Sequence, residues 1–212
     1  MTNAKKGQIM NTTLLKDYTT TASEGYLGAT KTTGSKSHEY LGDAELSKSV
    51  KQALQVILTP ELSKSDIKVK KESYSMGRSI YITLKLDKAK YAPTRDEYKA
   101  IIADKVKQNS YNWIYDGNGK EVFHEEYWKM GEEQKRKAEE ETAEQRAKWS
   151  YDRQETSINH YNLDREEMLN EEGKKILEVA NQVVGAYNYD DSNAQVDYFD
   201  TNFYYHLSVE WK

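Results

Sequence analysis

The sequence of 212 residues predicts an α+β fold, and three observations support this prediction. Two segments alternate apolar with polar residues, which is typical of strands that bury one face. Several other stretches repeat apolar residues at three- and four-residue spacing, as on the buried side of a helix. We therefore expect a small antiparallel sheet, formed by a hairpin and a C-terminal strand and packed by helices, with an inserted aromatic hairpin and a long charged helix.

The two predicted strand regions are a hairpin from Ile67 to Leu86 and a closing strand from Phe203 to Trp211. In the second arm of the hairpin, isoleucine and leucine alternate with polar residues from Ile80 onward, and the first arm repeats this pattern more weakly. Serine and glycine between the arms tolerate a turn.

Helical spacing begins at Asp43, which is a candidate N-cap, and Thr59-Pro60 ends this first helix. A second helix is expected from Pro93 to near Asn109. The last helix is expected from Asp164, another candidate N-cap, to about Gly185. The first and last helices would cover one side of the sheet.

A long helix is expected from His124 to about Ser150, with an unusually polar surface. Between residues 132 and 148 there are six Glu and five Lys or Arg, and no side chain more apolar than Ala or Thr. Such a helix predicts an exposed arm that i to i+4 ion pairs stabilise. The expected pairs are Glu132 with Arg136, Glu133 with Lys137 and Glu144 with Lys148.

The domain organisation follows from these patterns. Residues 1–42, rich in Thr, Ser, Gly and Lys, predict a flexible N-terminal arm, and residues 43–212 predict a single α+β domain with an inserted helical arm at about 124–163. The aromatic segment Tyr111 to Phe123 predicts a small hairpin, because Asp-Gly followed by Asn-Gly favours a tight turn. A two-stranded ribbon is marginal alone, so it must lean on the sheet or on a partner.

Composition excludes several classes of protein. With no cysteine, the chain cannot use disulfides, thiolate nucleophiles or cysteine-bound zinc. The net charge of −4 disfavours free nucleic acid as the main partner. No run approaches the about 20 apolar residues of a membrane span, so a soluble, cytoplasmic protein with no membrane partner is expected.

Neither histidines nor aspartates predict a metal or catalytic site. The four histidines lie far apart in the sequence. The late aspartates Asp190, Asp191, Asp197 and Asp200 offer oxygen ligands, but their spacing does not match a calcium-binding loop. We interpret them as a solvated turn, with an acidic and aromatic recognition surface as the functional alternative, and expect no cofactor and no enzyme activity.

The seventeen tyrosines and four tryptophans are the most informative feature of composition. Such rings serve as core, as anchors for a protein partner, or as platforms for bases. The last use would place Lys68, Lys70, Lys71 and Arg78 near phosphates, beside Tyr74 and Tyr81.

Two motifs resemble a large polyvalent protein-associated domain family of phages and plasmids. They are the turn from Ser73 to Ile80 and the late segment from Tyr187 to Asp200. The similarity covers roughly residues 43–88 and 172–212. It implies a protein of a mobile genetic element, and free-standing proteins of this kind look like counter-defence factors, among them anti-CRISPR proteins that act on Cas9.

The leading hypothesis is therefore a binding protein that inhibits a host bacterial defence protein, most specifically Cas9, alone or loaded with guide RNA. The residues expected to bind the partner are Tyr74, Arg78, Tyr111, Trp113, Tyr115, Arg136 and Arg146. A nucleic-acid-binding accessory of phage or plasmid replication and transfer is the alternative, and a metal-dependent nuclease using the late aspartates is the third hypothesis. A homodimer through the charged arm stays open.

Overall fold

The computed structural model describes residues 12–37, 41–75, 77–108, 113–196 and 200–212. Within them lie nine strands and seven helices. The strands are β1 Thr20–Glu24, β2 Thr30–Gly34, β3 Ile67–Tyr74, β4 Gly77–Leu86, β5 Ile114–Tyr115, β6 Glu121–Val122, β7 Glu155–Ile158, β8 Tyr189–Asp190 and β9 Tyr204–Trp211. The helices are α1 Thr12–Leu15, α2 Asp43–Ile57, α3 Lys88–Tyr91, α4 Arg95–Lys107, α5 His124–Lys129, α6 Glu132–Arg146 and α7 Glu171–Gly185. The predicted α+β class is confirmed.

The main sheet has four strands in the order β3-β4-β9-β7. The predicted hairpin is β3 and β4, paired from Ile67 with Leu84 to Tyr74 with Gly77. The expectation of an antiparallel sheet is wrong in one respect, because β9 runs parallel to β4. Strand β7 was not predicted; its four residues are too few to show a clear alternation, and it pairs antiparallel with β9.

One face of the main sheet is covered by helices. The isoleucines and leucines of β4 are almost completely buried, as are Leu207 and Val209 of β9. Helix α2 packs on β3, and α7 packs on β9. Two predicted N-caps are wrong: Gly42 caps α2, while the cap of α7 is Asn170, whose side chain accepts a hydrogen bond from the amide of Gly173.

The described part of the N-terminal segment is folded, which corrects the expectation of a flexible arm for residues 12–37. Strands β1 and β2 form an antiparallel hairpin, and β2 also pairs with β8. The amide of Gly34 donates to the carbonyl of Asn188 at 2.8 Å, and the amide of Lys36 donates to the carbonyl of Ala186 at 2.7 Å. The threonine-rich sequence hides this arrangement, because all side chains of β1 remain exposed.

The charged helix is not an exposed arm. The predicted helix from His124 to Ser150 is broken near Gly131 into α5 and α6, and α6 packs against α4 and β5. Its small side chains Ala138, Thr142 and Ala143 are buried. A narrow stripe of small residues was enough to bury one face, which the absence of large apolar residues had concealed.

No helix in the described ranges is long and apolar enough to cross a membrane.

Candidate protein-binding surface

The aromatic ribbon predicted from the Asp-Gly and Asn-Gly pairs is formed by β5 and β6. The Asp116 carboxylate closes its turn by accepting hydrogen bonds from the amides of Asn118 at 2.9 Å and Lys120 at 3.0 Å. These two bonds lower the pKa of Asp116. Gly119 has a φ of 77°, which is the left-handed conformation that glycine adopts at little cost.

The inner face of the ribbon is anchored on α6. Ile114 and Val122 form a cross-strand pair and are both buried. The amide of Tyr115 donates to Oγ1 of Thr142 at 2.8 Å. A Cβ built at Gly117 would lie 3.1 Å from Cβ of Lys137, so the turn also lies close to the helix. The ribbon is therefore held against the folded body rather than standing free.

The outer face of the ribbon is aromatic and exposed. Because side chains alternate along a strand, Trp113 and Tyr115 lie on the side opposite Ile114. The pairing of Ile114 with Val122 places Trp113 across from Phe123. The exposed fractions are 56% for Trp113 and 75% for Phe123. Trp149, exposed to 54%, meets Tyr115 edge to face with ring centroids 6.2 Å apart. We call Trp113, Tyr115, Phe123 and Trp149 the aromatic face.

Carboxylates border the aromatic face. Glu121, Glu125 and Glu126 are exposed, and the last two line a shallow depression of about 560 Å³ together with Phe123, His124 and Lys129. Neither ring nitrogen of His124 has a hydrogen-bond partner among the described residues. These two nitrogens are buried, so the surface itself combines apolar rings with negative charge.

Helix α5, which carries this depression, is held against α6 by a buried hydrogen bond. The Tyr127 hydroxyl donates to Oε1 of Glu139 at 2.9 Å, and both residues are buried. Burial, followed by the hydrogen bond to Glu139, raises the pKa of Tyr127. Lys107 on α4 approaches the other oxygen of Glu139 at 3.2 Å. A buried, paired carboxylate therefore joins α4, α5 and α6 under the exposed surface.

The predicted partner-binding residues fall into three groups. Tyr111 lies outside the described residues, while Trp113 and Tyr115 belong to the aromatic face.

Arg136 is exposed on α6 and pairs with Glu133 at 3.0 Å and Glu140 at 2.5 Å, not with Glu132 as expected. The other two expected pairs of α6 form, Glu133 with Lys137 at 3.5 Å and Glu144 with Lys148 at 4.0 Å. Arg146 is half-buried beside Tyr98.

Tyr74 and Arg78 lie on the main hairpin instead of on the ribbon. Arg78 is engaged inside the molecule: its guanidinium donates to the carbonyls of Asn202 and Leu41, both at 3.0 Å, and to Asp43 at 2.9 Å. Tyr74 is exposed. Both residues line a depression of about 340 Å³ that also includes Tyr187 and Asn202, so the structure brings the two resemblance motifs together.

Sequence reasoning missed Phe123 as a member of the aromatic face. The signal was present, because a turn over Asp116 to Lys120 fixes the register and places Phe123 opposite Trp113. The contact between Tyr115 and Trp149 could not be predicted, since it depends on how the ribbon packs on α6.

The described aspartates of the late segment make local hydrogen bonds. Asp190 accepts from the amide of Ser192, and Asp191 accepts from the amide of Tyr26, both at 2.9 Å. Asp197 lies outside the described residues. In the ranges that the structure covers, no group of three or more histidine or acidic side chains is arranged to hold a metal ion.

Comparison with protein-family models, curated proteins and solved structures finds no match for this chain. The resemblance in the segments from Ser73 to Ile80 and from Tyr187 to Asp200 therefore stays a prediction.

Proposed function

We propose that the protein is a non-enzymatic counter-defence protein that binds and inhibits a host bacterial defence complex, with Cas9 loaded with guide RNA as the first target. The observation that carries this proposal is the exposed aromatic face of Trp113, Tyr115, Phe123 and Trp149 on a firmly anchored ribbon. The cellular site of action would be the cytoplasm of the host bacterium.

The chemistry of the aromatic face favours a protein partner. Tryptophan and tyrosine are enriched at the centres of interfaces, because they bury much area at small entropic cost. Trp113 and Phe123 expose most of their surface in the free protein. Since the ribbon backbone is already fixed on α6, binding would cost little conformational entropy.

The negative charge around the aromatic face favours a partner with a basic surface. Exposed Glu121, Glu125 and Glu126 beside aromatic rings suit a surface rich in arginine, which pairs with carboxylates and stacks on aromatic faces. Proteins that hold nucleic acid carry such basic surfaces, and Cas9 holds its guide–target duplex in a positively charged channel. The resemblance to a phage and plasmid family supports the same class of target.

The experiment is a Cas9 cleavage assay on duplex target DNA with increasing amounts of the protein and of its double variant Trp113→Ala/Phe123→Ala. We expect the natural sequence to protect the target in a dose-dependent way, and the double variant to need at least about tenfold more protein. Tyr161→Ala is the matched control, since Tyr161 is an exposed ring that is far along the chain from the ribbon.

Circular dichroism and thermal melting establish whether the double variant is folded before its activity is compared. Complete cleavage at molar excess of the natural sequence would eliminate Cas9 as the target. Full protection by the folded double variant would show that inhibition does not use the aromatic face.

A further inference from the structure

A second exposed aromatic surface lies on the open face of the main sheet, opposite the face that α2 and α7 cover. Its side chains come from alternate positions of the three strands β3, β4 and β9. The rings Tyr74 on β3, Tyr81 on β4, and Tyr204 and His206 on β9 are exposed. We call these four residues the sheet platform.

The centre of the sheet platform is a pair of stacked rings on the two central strands. Tyr81 and His206 are direct neighbours in the parallel register of β4 and β9. Their ring centroids are 4.9 Å apart and their planes differ by 18°. The Tyr81 hydroxyl donates to Oε2 of Glu72 at 2.9 Å, which fixes the ring on its strand. Tyr204 lies two residues before His206, about 7 Å along the same face.

Lysines flank these rings. Lys68 and Lys85 both approach the single carboxylate of Glu210, at 2.5 Å and 2.6 Å. Glu155 lies opposite Glu210 in the register of β7 and β9, so the two lysines at this edge are balanced by two carboxylates. Lys70 lies opposite Tyr81 in the register of β3 and β4, and it makes no ion pair with any residue in the described ranges.

We propose that the sheet platform binds single-stranded nucleic acid, with unpaired bases stacked on Tyr81, His206 and Tyr204 and the backbone phosphates held by Lys68, Lys70 and Lys85. Aromatic side chains on the central strands of an open sheet offer flat surfaces at a spacing that bases can use. The stacked bases must be unpaired, because a duplex hides their faces. This site is separate from the aromatic face and goes beyond the function proposed above.

The polar character of the platform separates it from a protein interface. Thr83 and Ser208, which lie next to the ring pair, join their hydroxyls across the strands at 2.9 Å. An interface core between proteins is depleted in such polar and charged groups, whereas rings interspersed with hydroxyls and lysines suit a nucleic-acid strand.

The test measures fluorescence anisotropy of a labelled thymidine strand of about 15 nucleotides with the full-length protein, beside a duplex of the same length. We expect the single strand to bind more tightly than the duplex, and its affinity to fall as salt rises from about 50 to about 200 mM. Tyr81→Ala/His206→Ala should weaken binding at least about tenfold. Lys68→Gln/Lys70→Gln should make the salt dependence shallower.

Two control variants accompany this test, one for the role of the Tyr81 ring and one for the independence of the two surfaces. Tyr81→Phe keeps the ring and removes only the hydroxyl, so it should bind like the natural sequence. Trp113→Ala/Phe123→Ala should also bind the single strand normally, which separates this proposal from the one for the aromatic face.

Three results would overturn the proposal. They are the absence of binding to the single strand, equal affinity for the duplex and the single strand, and unchanged binding by folded Tyr81→Ala/His206→Ala. Loss of Cas9 inhibition in the ribbon variant alone would leave the sheet platform unaffected.

Discussion

Arg78 shows how one side chain can connect distant parts of this chain. Its guanidinium joins β4 to the carbonyl of Leu41 before α2, to Asp43 at the start of α2, and to the carbonyl of Asn202 before β9. Hydrogen bonds from Ser73 and then from Arg78 lower the pKa of the Asp43 carboxyl. An arginine expected to bind a partner therefore holds the molecule together.

We predict that Arg78→Met lowers the free energy of unfolding by about 2 kcal/mol, because it removes charge-assisted hydrogen bonds and leaves half-buried acceptors unpaired. Urea unfolding at neutral pH measures the change. Arg136→Met is the matched control: Arg136 is exposed and, among the residues that the structure describes, pairs only along its own helix, so we expect a change within about 0.5 kcal/mol. Equal effects of the two substitutions would contradict this role of Arg78.

At the scale of elements, the N-terminal hairpin is docked by close backbone approach. A Cβ built at Gly34 would lie 2.3 Å from the carbonyl oxygen of Ala186 and 2.4 Å from that of Gly185. Only glycine allows β2 to approach the end of α7 so closely. The hairpin has few buried side chains, so this contact, its backbone hydrogen bonds and side-chain hydrogen bonds such as that from the amide of Tyr26 to Asp191 hold it in place.

We predict that Gly34→Ala separates the hairpin from α7 and lowers the free energy of unfolding by about 1–3 kcal/mol. Hydrogen exchange should show faster amide exchange in β1 and β2, with little change in the main sheet. Gly42→Ala is the control, because its nearest Cβ neighbour would be a flexible Glu45 oxygen at 3.8 Å. Unchanged protection of β2 in Gly34→Ala would show that the close approach is not needed.

Helix α6 packs in the folded body although its charged sequence predicts an exposed arm. Its charged residues outnumber its apolar ones, yet alanine, threonine and the paired Glu139 bury one side against α4 and the ribbon. Ion pairs then join the helices: Arg95 of α4 approaches Glu144 at 2.9 Å and Lys99 approaches it at 3.0 Å. Small side chains and bridging charges together replace a large apolar stripe.

For the whole molecule, His160 and Glu144 are two of the groups whose pKa links stability to pH. Burial lowers the pKa of His160 from 6.5 to about 4. The centroid of its ring lies 4.0 Å from that of Tyr161 and 4.3 Å from that of Tyr205. Hydrogen bonds from Arg95 and Lys99 lower the pKa of Glu144 from 4.5 to about 2. In both cases the unfolded chain binds the proton more tightly, so acid favours unfolding.

We predict that stability falls between pH 6.5 and 4 because of His160, and between pH 4.5 and 2 because of Glu144. Each group contributes at most about 1.4 kcal/mol per pH unit. Urea unfolding at a series of pH values measures this, and His160→Gln and Glu144→Gln should each flatten the profile in its own window. A Glu144→Gln profile parallel to that of the natural sequence below pH 4.5 would contradict the prediction.

The two proposed binding surfaces are built on different parts of the fold. The aromatic face belongs to the ribbon and to the helical turn after α6 that carries Trp149, while the sheet platform belongs to β3, β4 and β9. Variants of one surface therefore serve as controls for the other, and each function can be lost without the other.

The sequence by itself determined the α+β class, the main hairpin, the closing strand and the small aromatic ribbon. These features depend on local periodicity and on turn chemistry, which neighbouring residues specify. The alternation of Ile80 to Leu86 was sufficient to identify the buried face of β4. The Asp-Gly and Asn-Gly pairs predicted the ribbon, whereas the burial of Ile114 and the exposure of Trp113 were seen only in the structure.

Only the tertiary structure decided the parallel pairing of β4 with β9, the short strand β7, the docked N-terminal hairpin and the buried side of α6. Each depends on contacts between residues far apart in the chain, and in each the local signal is weak. The same holds for the pairing of Tyr81 with His206, which are 125 residues apart and meet only because β9 enters the sheet beside β4.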